Sequence, residues 1–203
     1  MPAADRLSAA REALAAAEAA ASASGLGPAP GPQDRGRAEA EPEPDPHAVA
    51  RKVVLRQLAM GPRTRRQLED KLRERGCERE VAVRVLDRMG EVGLVDDEAY
   101  AEMYIRSKQE TKGLAAEALR HELRAKGVPD DVVDAALEEI DPEHEKEQAR
   151  ALVARRLRTM RGLDRDVQTR RLAGFLARKG YGSGVSYQVV REALDGLPEH
   201  RRD

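Results

Sequence analysis

The sequence holds one cysteine, no tryptophan, four tyrosines and one phenylalanine. A lone cysteine, Cys77, excludes an intramolecular disulfide and any cysteine-built metal cluster, and it fits a reducing cytoplasm. No apolar run approaches the roughly 18 residues that a bilayer-crossing helix needs, and the N-terminus lacks the basic start and apolar stretch of a secretory signal. Strand-forming runs are almost missing. Ala, Leu, Val, Arg and Glu dominate instead, the composition of a chain built from helices.

Charge is abundant, at 36% of the chain, yet nearly balanced, with a formal net charge of -1. That balance hides blocks. Residues 1–50 sum to about -4, 51–89 to about +6, 90–145 to about -10, 146–180 to about +8 and the remainder to about -1. Two basic blocks therefore flank an acidic one, and an anionic partner stays open where the net charge alone would argue against it.

The first 46 residues have little to bury. GLGPAPGPQDRGRAEAEPEPDP at 25–46 is rich in Gly, Pro and acid, and the Ala-rich stretch before it offers only Leu7 and Leu14 as an apolar face. This segment is expected to be a disordered tail, as is 197–203. Between them lies a repeat. LRERG at 72–76, LRAKG at 123–127 and LARKG at 176–180 place their glycines roughly 51 and 53 residues apart. Leu68, Leu119 and Leu172 each precede the next leucine by one helical turn, and a glycine directly after Lys or Arg is a left-handed helix stop. A second apolar-periodic stretch follows each stop: VAVRVL at 81–86, VVDAAL at 132–137 and VVREAL at 189–194. The third aligns with the second only if Gly182 to Val185 are an insertion. A further helix precedes each stop, near 48–60, 97–110 and 143–160. The expected fold is all-α: three tandem three-helix repeats, at 47–95, 96–141 and 142–196, in an elongated array with a small core in each module.

Local signals agree. Thr64 with Gln67 forms a capping box, and Pro129 suits the first turn of a helix. In GLVDDEAYAEMYI at 93–105 the adjacent carboxylates read as a helix start. Asp96 is the N-cap, Val95 and Tyr100 have the spacing of a hydrophobic staple, and Asp97 and Glu98 lie in the first turn where the dipole favours negative charge. A catalytic carboxylate pair would need a nearby His or Lys, and the neighbouring sequence supplies neither.

GLVDDEAYAEMYI, with LRHELRAKGV at 119–128, ALEEI at 136–140, LARKGY and YQVVREAL, resembles the RecX family, regulators of the RecA recombinase of bacteria. The resemblance covers about 48–195. It implies a non-enzymatic protein that lies in the groove of the RecA filament on single-stranded DNA and modulates, chiefly inhibits, ATP hydrolysis and strand exchange in recombination, DNA repair and the SOS response. No cofactor is implied, and a monomer is expected. Many relatives carry basic residues near Ala116 and Glu117, so the middle module here is expected to touch an anion less, its acidic sum repelling DNA. The alternative reading is a helical DNA-binding module acting directly on nucleic acid, since two helices of a unit pass for a helix-turn-helix.

Other features read as structural. GYGSG at 180–184 lacks the preceding strand of a phosphate loop and reads as an interhelical turn. The four histidines have no ligand partners at metal spacing, and Cys77 has no adjacent base. The arginines divide by helix face. Arg66 and Arg73 point away from Leu68 and Leu72; Arg155 and Arg158 point away from Leu152, Val153 and Leu157. Arg171 and Arg178 share one flank of their helix. These six are the candidate contacts with filament or DNA. Asp70 lies one turn after Arg66 and could instead hold it in a surface pair, and Arg156 falls on the apolar side, where it would snorkel.

Overall fold

The computed structural model describes residues 45–197. Among them are nine α-helices and no strand: α1 (Pro46–Ala59), α2 (Arg65–Glu74), α3 (Arg79–Glu91), α4 (Asp97–Lys112), α5 (Ala116–Ala125), α6 (Asp130–Glu138), α7 (Pro142–Leu157), α8 (Arg165–Arg178) and α9 (Ser183–Asp195). Of the tails expected at 1–46 and 197–203, residues 1–44 and 198–203 lie outside the described residues. Pro46, placed in the tail by its composition, is the first residue of α1, where its missing N–H costs no hydrogen bond.

The three glycine stops close α2, α5 and α8 in the same way. Gly76, Gly127 and Gly180 have φ of 74°, 79° and 86°. In each the following residue donates back across the turn: Cys77 to the Leu72 carbonyl, Val128 to Leu123 and Tyr181 to Leu176. Each chain reversal returns a third helix onto the other two, and three hydrophobic cores result. Leu68, Leu72, Val85 and Leu86 belong to the first, Leu119, Leu123, Val133 and Leu137 to the second, and Leu152, Leu172, Leu176 and Val190 to the third.

The third module holds no insertion at Gly182 to Val185. Gly182 takes the N-cap place held by Glu78 and Pro129, two residues after the stop in every module. Ser186 is then buried where Ala82 and Val133 are buried. The extra length lies at the far end, α9 having 13 residues against 9 in α6. A small polar residue at a core position breaks the apolar period, so pattern matching slips one turn onto Val189 and Val190. The turn read at 180–184 accordingly ends at Gly182, with Ser183 and Gly184 already helical, and Pro129 stands one residue before α6 rather than inside it.

Successive modules meet end to end through their middle helices. The C-terminal carbonyl of α5, on Lys126, accepts the Thr64 hydroxyl at the N-cap of α2 at 2.7 Å. The corresponding carbonyl of α8, on Lys179, accepts the Ala115 N–H at the N-cap of α5 at 2.9 Å. A carboxylate from the next module's first helix completes each joint: Asp97 accepts the Arg65 N–H at 2.9 Å, and Glu145 accepts the Ala116 N–H at 3.2 Å. Each joint thus satisfies helix-end groups that have no partner within their own helix, and it sets the positive end of one dipole on the negative end of another.

Thr64 carries two of these bonds, since its hydroxyl also accepts the Gln67 N–H of the capping box, and it is fully buried. Thr64→Val should therefore lower the unfolding free energy by about 2 kcal/mol, from a lost cap and a buried carbonyl left without a donor. Urea denaturation would measure this, and Thr64→Ser, which keeps the hydroxyl, should recover most of the loss.

Candidate anion-binding surface

All six arginines singled out in the sequence are exposed, but they do not form one surface with equal standing. Asp70 ion-pairs with Arg66 at 3.4 Å and with Arg73 at 2.7 Å, and Glu69 adds a 3.7 Å contact to Arg66. The stem of Arg66 also covers the α5 stop, because a Cβ on Gly127 would fall 2.4 Å from both Arg66 Cβ and Cγ. Arg66 points away from the leucine face as the pattern says, yet it is packed into a joint. Arg155, Arg158, Arg171 and Arg178 have no acidic partner at ion-pairing distance among the described residues. The Arg178 guanidinium folds back towards Gly174 on its own helix.

Lysines, not singled out by the sequence pattern, supply the continuous feature. Tyr104, Lys108 and Lys112 follow one another at four-residue spacing along α4, so they form a single stripe. The Lys108 and Lys126 ammonium groups lie 5.0 and 5.1 Å from the Tyr104 ring centroid. Lys112 passes the stripe to the third module, its carbonyl accepting the Lys179 ammonium. Lys179 in turn lies 5.5 Å from the Phe175 ring, with the Arg156 guanidinium at 5.9 Å from the same ring. Arg156 thus rests its head on an aromatic face, in keeping with its apolar-side position. Burial first, and then the positive charges of Arg155 and Lys112, hold the Lys179 ammonium below its ordinary pKa.

The stripe therefore runs from Lys126 through Lys108 and Lys112 to Lys179, Arg155 and Arg156, with Tyr104 and Phe175 set among the cations. Beside it, Gln67 of the first module, Tyr104, Lys112, His121, Glu122 and Lys126 line a shallow depression of about 390 Å³. The one carboxylate there is occupied: Glu122 accepts the Tyr104 hydroxyl at 2.5 Å, and burial together with this carboxylate raises the phenol far above its usual range. Away from this depression, Asp130 pairs with Arg124 at 2.7 Å and Asp134 with Arg120 at 3.3 Å. The acidic sum of residues 90–145 does not say on which face each charge lies, and lysines gather beside Tyr104. Lys126 and Lys179 occupy the same place before their stops, a match that LRAKG and LARKG already display; the alignment of Lys112 with them depends on the joint.

The adjacent carboxylates of α4 do separate jobs. Asp96 caps its own helix through the Ala99 N–H at 2.9 Å, and Asp97 caps α2 of the preceding module. Burial raises the Asp97 carboxyl pKa, and the Arg65 N–H partly offsets this. Among the described residues no group of three or more His, Cys, Asp or Glu side chains is placed to hold a metal, and no helix is long and apolar enough to cross a membrane.

Family models for the first, second and third three-helix domains of RecX match residues 50–89, 96–137 and 143–190. A protein named "Regulatory protein RecX" from Streptomyces lividans is 53% identical over 146 residues, 72% of this chain and 78% of the relative. Its namesake from Thermobifida fusca is 49% identical over 149 residues, 73% of this chain and 80% of the relative. The crystal structure of RecX from Lactobacillus salivarius superposes with a TM-score of 0.69 at 21% identity, covering 73% of this chain and 96% of that one. A second crystal structure, of a regulatory protein RecX, gives 0.66 at 28% identity, covering 73% and 72%. With every one of its three modules matched in order and close relatives alike over nearly three quarters of its length, the chain belongs to the RecX family of regulatory proteins.

Proposed function

We propose that this protein regulates the RecA recombinase by binding its filament on single-stranded DNA as a monomer in the cytoplasm, restraining ATP hydrolysis and strand exchange without catalysing a reaction of its own. The observation that carries this reading is the cationic stripe, which crosses from the second module to the third without a break. A row of modules fixed end to end presents such a stripe as one surface, and a polymer with repeating acidic patches or phosphates is the partner that engages it along its length. Membership of a family of regulatory proteins supports the same conclusion.

The test is RecA-catalysed ATP hydrolysis on single-stranded DNA titrated with this protein. Hydrolysis should fall to a small residual rate, whereas the protein alone should hydrolyse none. An unchanged RecA rate at saturating protein would overturn the reading. A direct nucleic-acid role is the second reading, favoured by the presence of Tyr104 and Phe175 among the cations, since an aromatic ring beside a cation suits a base next to its phosphate. Inhibition that disappears when excess free oligonucleotide is added, with no association between protein and filament, would favour it.

A further inference from the structure

Of the aromatic side chains, Tyr100 and Tyr181 are buried, Tyr104 and Phe175 are half-buried, and Tyr187 alone among the described residues is freely exposed, at 64%. Tyr187 does not stand on a flat surface. With Gln188, Arg191 and Leu194 of α9 and Arg165 and Thr169 of α8 it lines a depression of about 470 Å³. Leu194, buried in the third core, supplies an apolar floor. The rim carries two arginines in different states. Arg165 is held by Asp195, while Arg191 has no acidic side chain at ion-pairing distance among the described residues. Glu192, next to Arg191 in sequence, is turned to Arg150 and to the Gln188 amide.

We propose that this depression receives a short segment of a protein partner, with an apolar side chain seated against Tyr187 and Leu194 and an adjoining carboxylate on Arg191. Tyrosine and arginine are, with tryptophan, the residues enriched where protein interfaces concentrate their binding energy. The surrounding charges select the occupant. An apolar floor beside a single unpaired guanidinium suits a peptide that brings one carboxylate and an apolar group, whereas the phosphates of a nucleic acid bring nothing to fill the floor. The inference rests on the filament reading for the partner's identity and deepens it. Arg165 and Phe175 are ten residues apart on α8, so the depression and the stripe lie about 15 Å apart along that helix. The protein would thereby hold the filament at two chemically distinct places.

Two probes test this separately: a fluorescent peptide of otherwise neutral polar residues carrying one leucine next to one glutamate, and RecA filaments on polythymidylate assayed by co-sedimentation. Tyr187→Ser with Arg191→Glu is the test variant, with circular dichroism as the folding control and Arg191→Lys as the conservative change. The peptide should bind the wild-type protein and shift the amide resonances around Tyr187 and Arg191. The double variant should bind peptide and filament at least about tenfold more weakly, while its affinity for free oligothymidylate stays unchanged, and Arg191→Lys should retain most of the binding. Absence of resonance shifts at millimolar peptide, equal filament binding by the folded double variant, or a parallel loss of oligothymidylate binding would each overturn the inference. Peptide binding by a wild-type protein that fails to sediment with filaments would support this site and overturn the filament reading instead.

Discussion

Alanine at Gly180 should be the most damaging single-methyl addition to the three helix stops, lowering stability by about 3 kcal/mol or more. Two costs add. A left-handed backbone strains any residue with a Cβ by about 1–2 kcal/mol, and overpacking a close contact adds about 1–3 kcal/mol. At Gly180 a Cβ would fall 2.3 Å from the Ala118 nitrogen and 2.6 Å from its Cβ, atoms of the neighbouring module that no rotamer change can move aside. Gly127 faces the stem of Arg66 at 2.4 Å, where part of the side chain can swing away, so its alanine variant should be intermediate. Gly76 has the same left-handed φ with nothing within 4 Å, and Gly76→Ala should cost only about 1 kcal/mol. Thermal melting of the three variants should rank them in this order, with Gly180→Ala lower than wild type by about 6–12 °C for a domain of this size. Equal losses at the three positions would show that backbone strain alone governs the stops and that the joints are loose.

Reversing two charges of the stripe should have the largest effect on function. Lys112 and Arg155 are exposed, on different modules, and each bears on the electrostatics of Lys179. Lys112→Glu with Arg155→Glu replaces two cations by two anions, and inhibition of RecA ATP hydrolysis should weaken by about tenfold to a hundredfold at ordinary salt. If the stripe faces phosphates of a single strand, the slope of log affinity against log salt should also become shallower by about 1.4, which is two lost contacts. Arg66→Glu with Arg73→Glu should do less to binding, since Asp70 and Glu69 already offer these two arginines as many carboxylates, although Arg66→Glu will also disturb the Gly127 contact and cost some stability. Inhibition that is insensitive to the stripe variant at every salt concentration would remove the stripe from the interface.

These two experiments probe features of unequal visibility in the sequence. The stops, the capping box at Thr64 and the Asp96 cap depend on neighbours within one turn, and local spacing specifies them completely. The joints do not. Asp97 finds Arg65 across 32 residues and Glu145 finds Ala116 across 29, and nothing in a local pattern separates a carboxylate that caps its own helix from one that caps another. Helical periodicity correctly sorted the arginines by face but could not tell which faces meet an acid or a neighbouring module. Arg66 is the clear case, pointing out of its own core and into the next joint. Segment charge has a related weakness: the sum over residues 90–145 does not say on which face each charge lies, and the lysines beside Tyr104 are gathered on one stripe. The Ser186 register shows the opposite weakness, in which a polar residue at a core position leads an apolar pattern astray.

Ala115 precedes the middle helix of the second module, yet it is wholly buried in the core of the third, beside Ala149, Leu152 and Tyr181. The Tyr181 hydroxyl reinforces this overlap, lying 3.3 Å from the Gly113 carbonyl oxygen and 3.1 Å from Gln148 Oε1. A ribosome releasing the chain from its N-terminus therefore meets two kinds of module. The first holds its core within residues 50–95 and can collapse once Val95 has emerged. The second also holds its own core, within residues 100–140, but Ala115 and the Gly113 carbonyl gain their cover only when α7, α8 and the Tyr181 reversal exist, roughly forty residues of translation beyond α6 and a few seconds at ordinary elongation rates. Three local cores first, then the joint at Thr64, and last the overlap of the second module with the third is the order in which this chain becomes native.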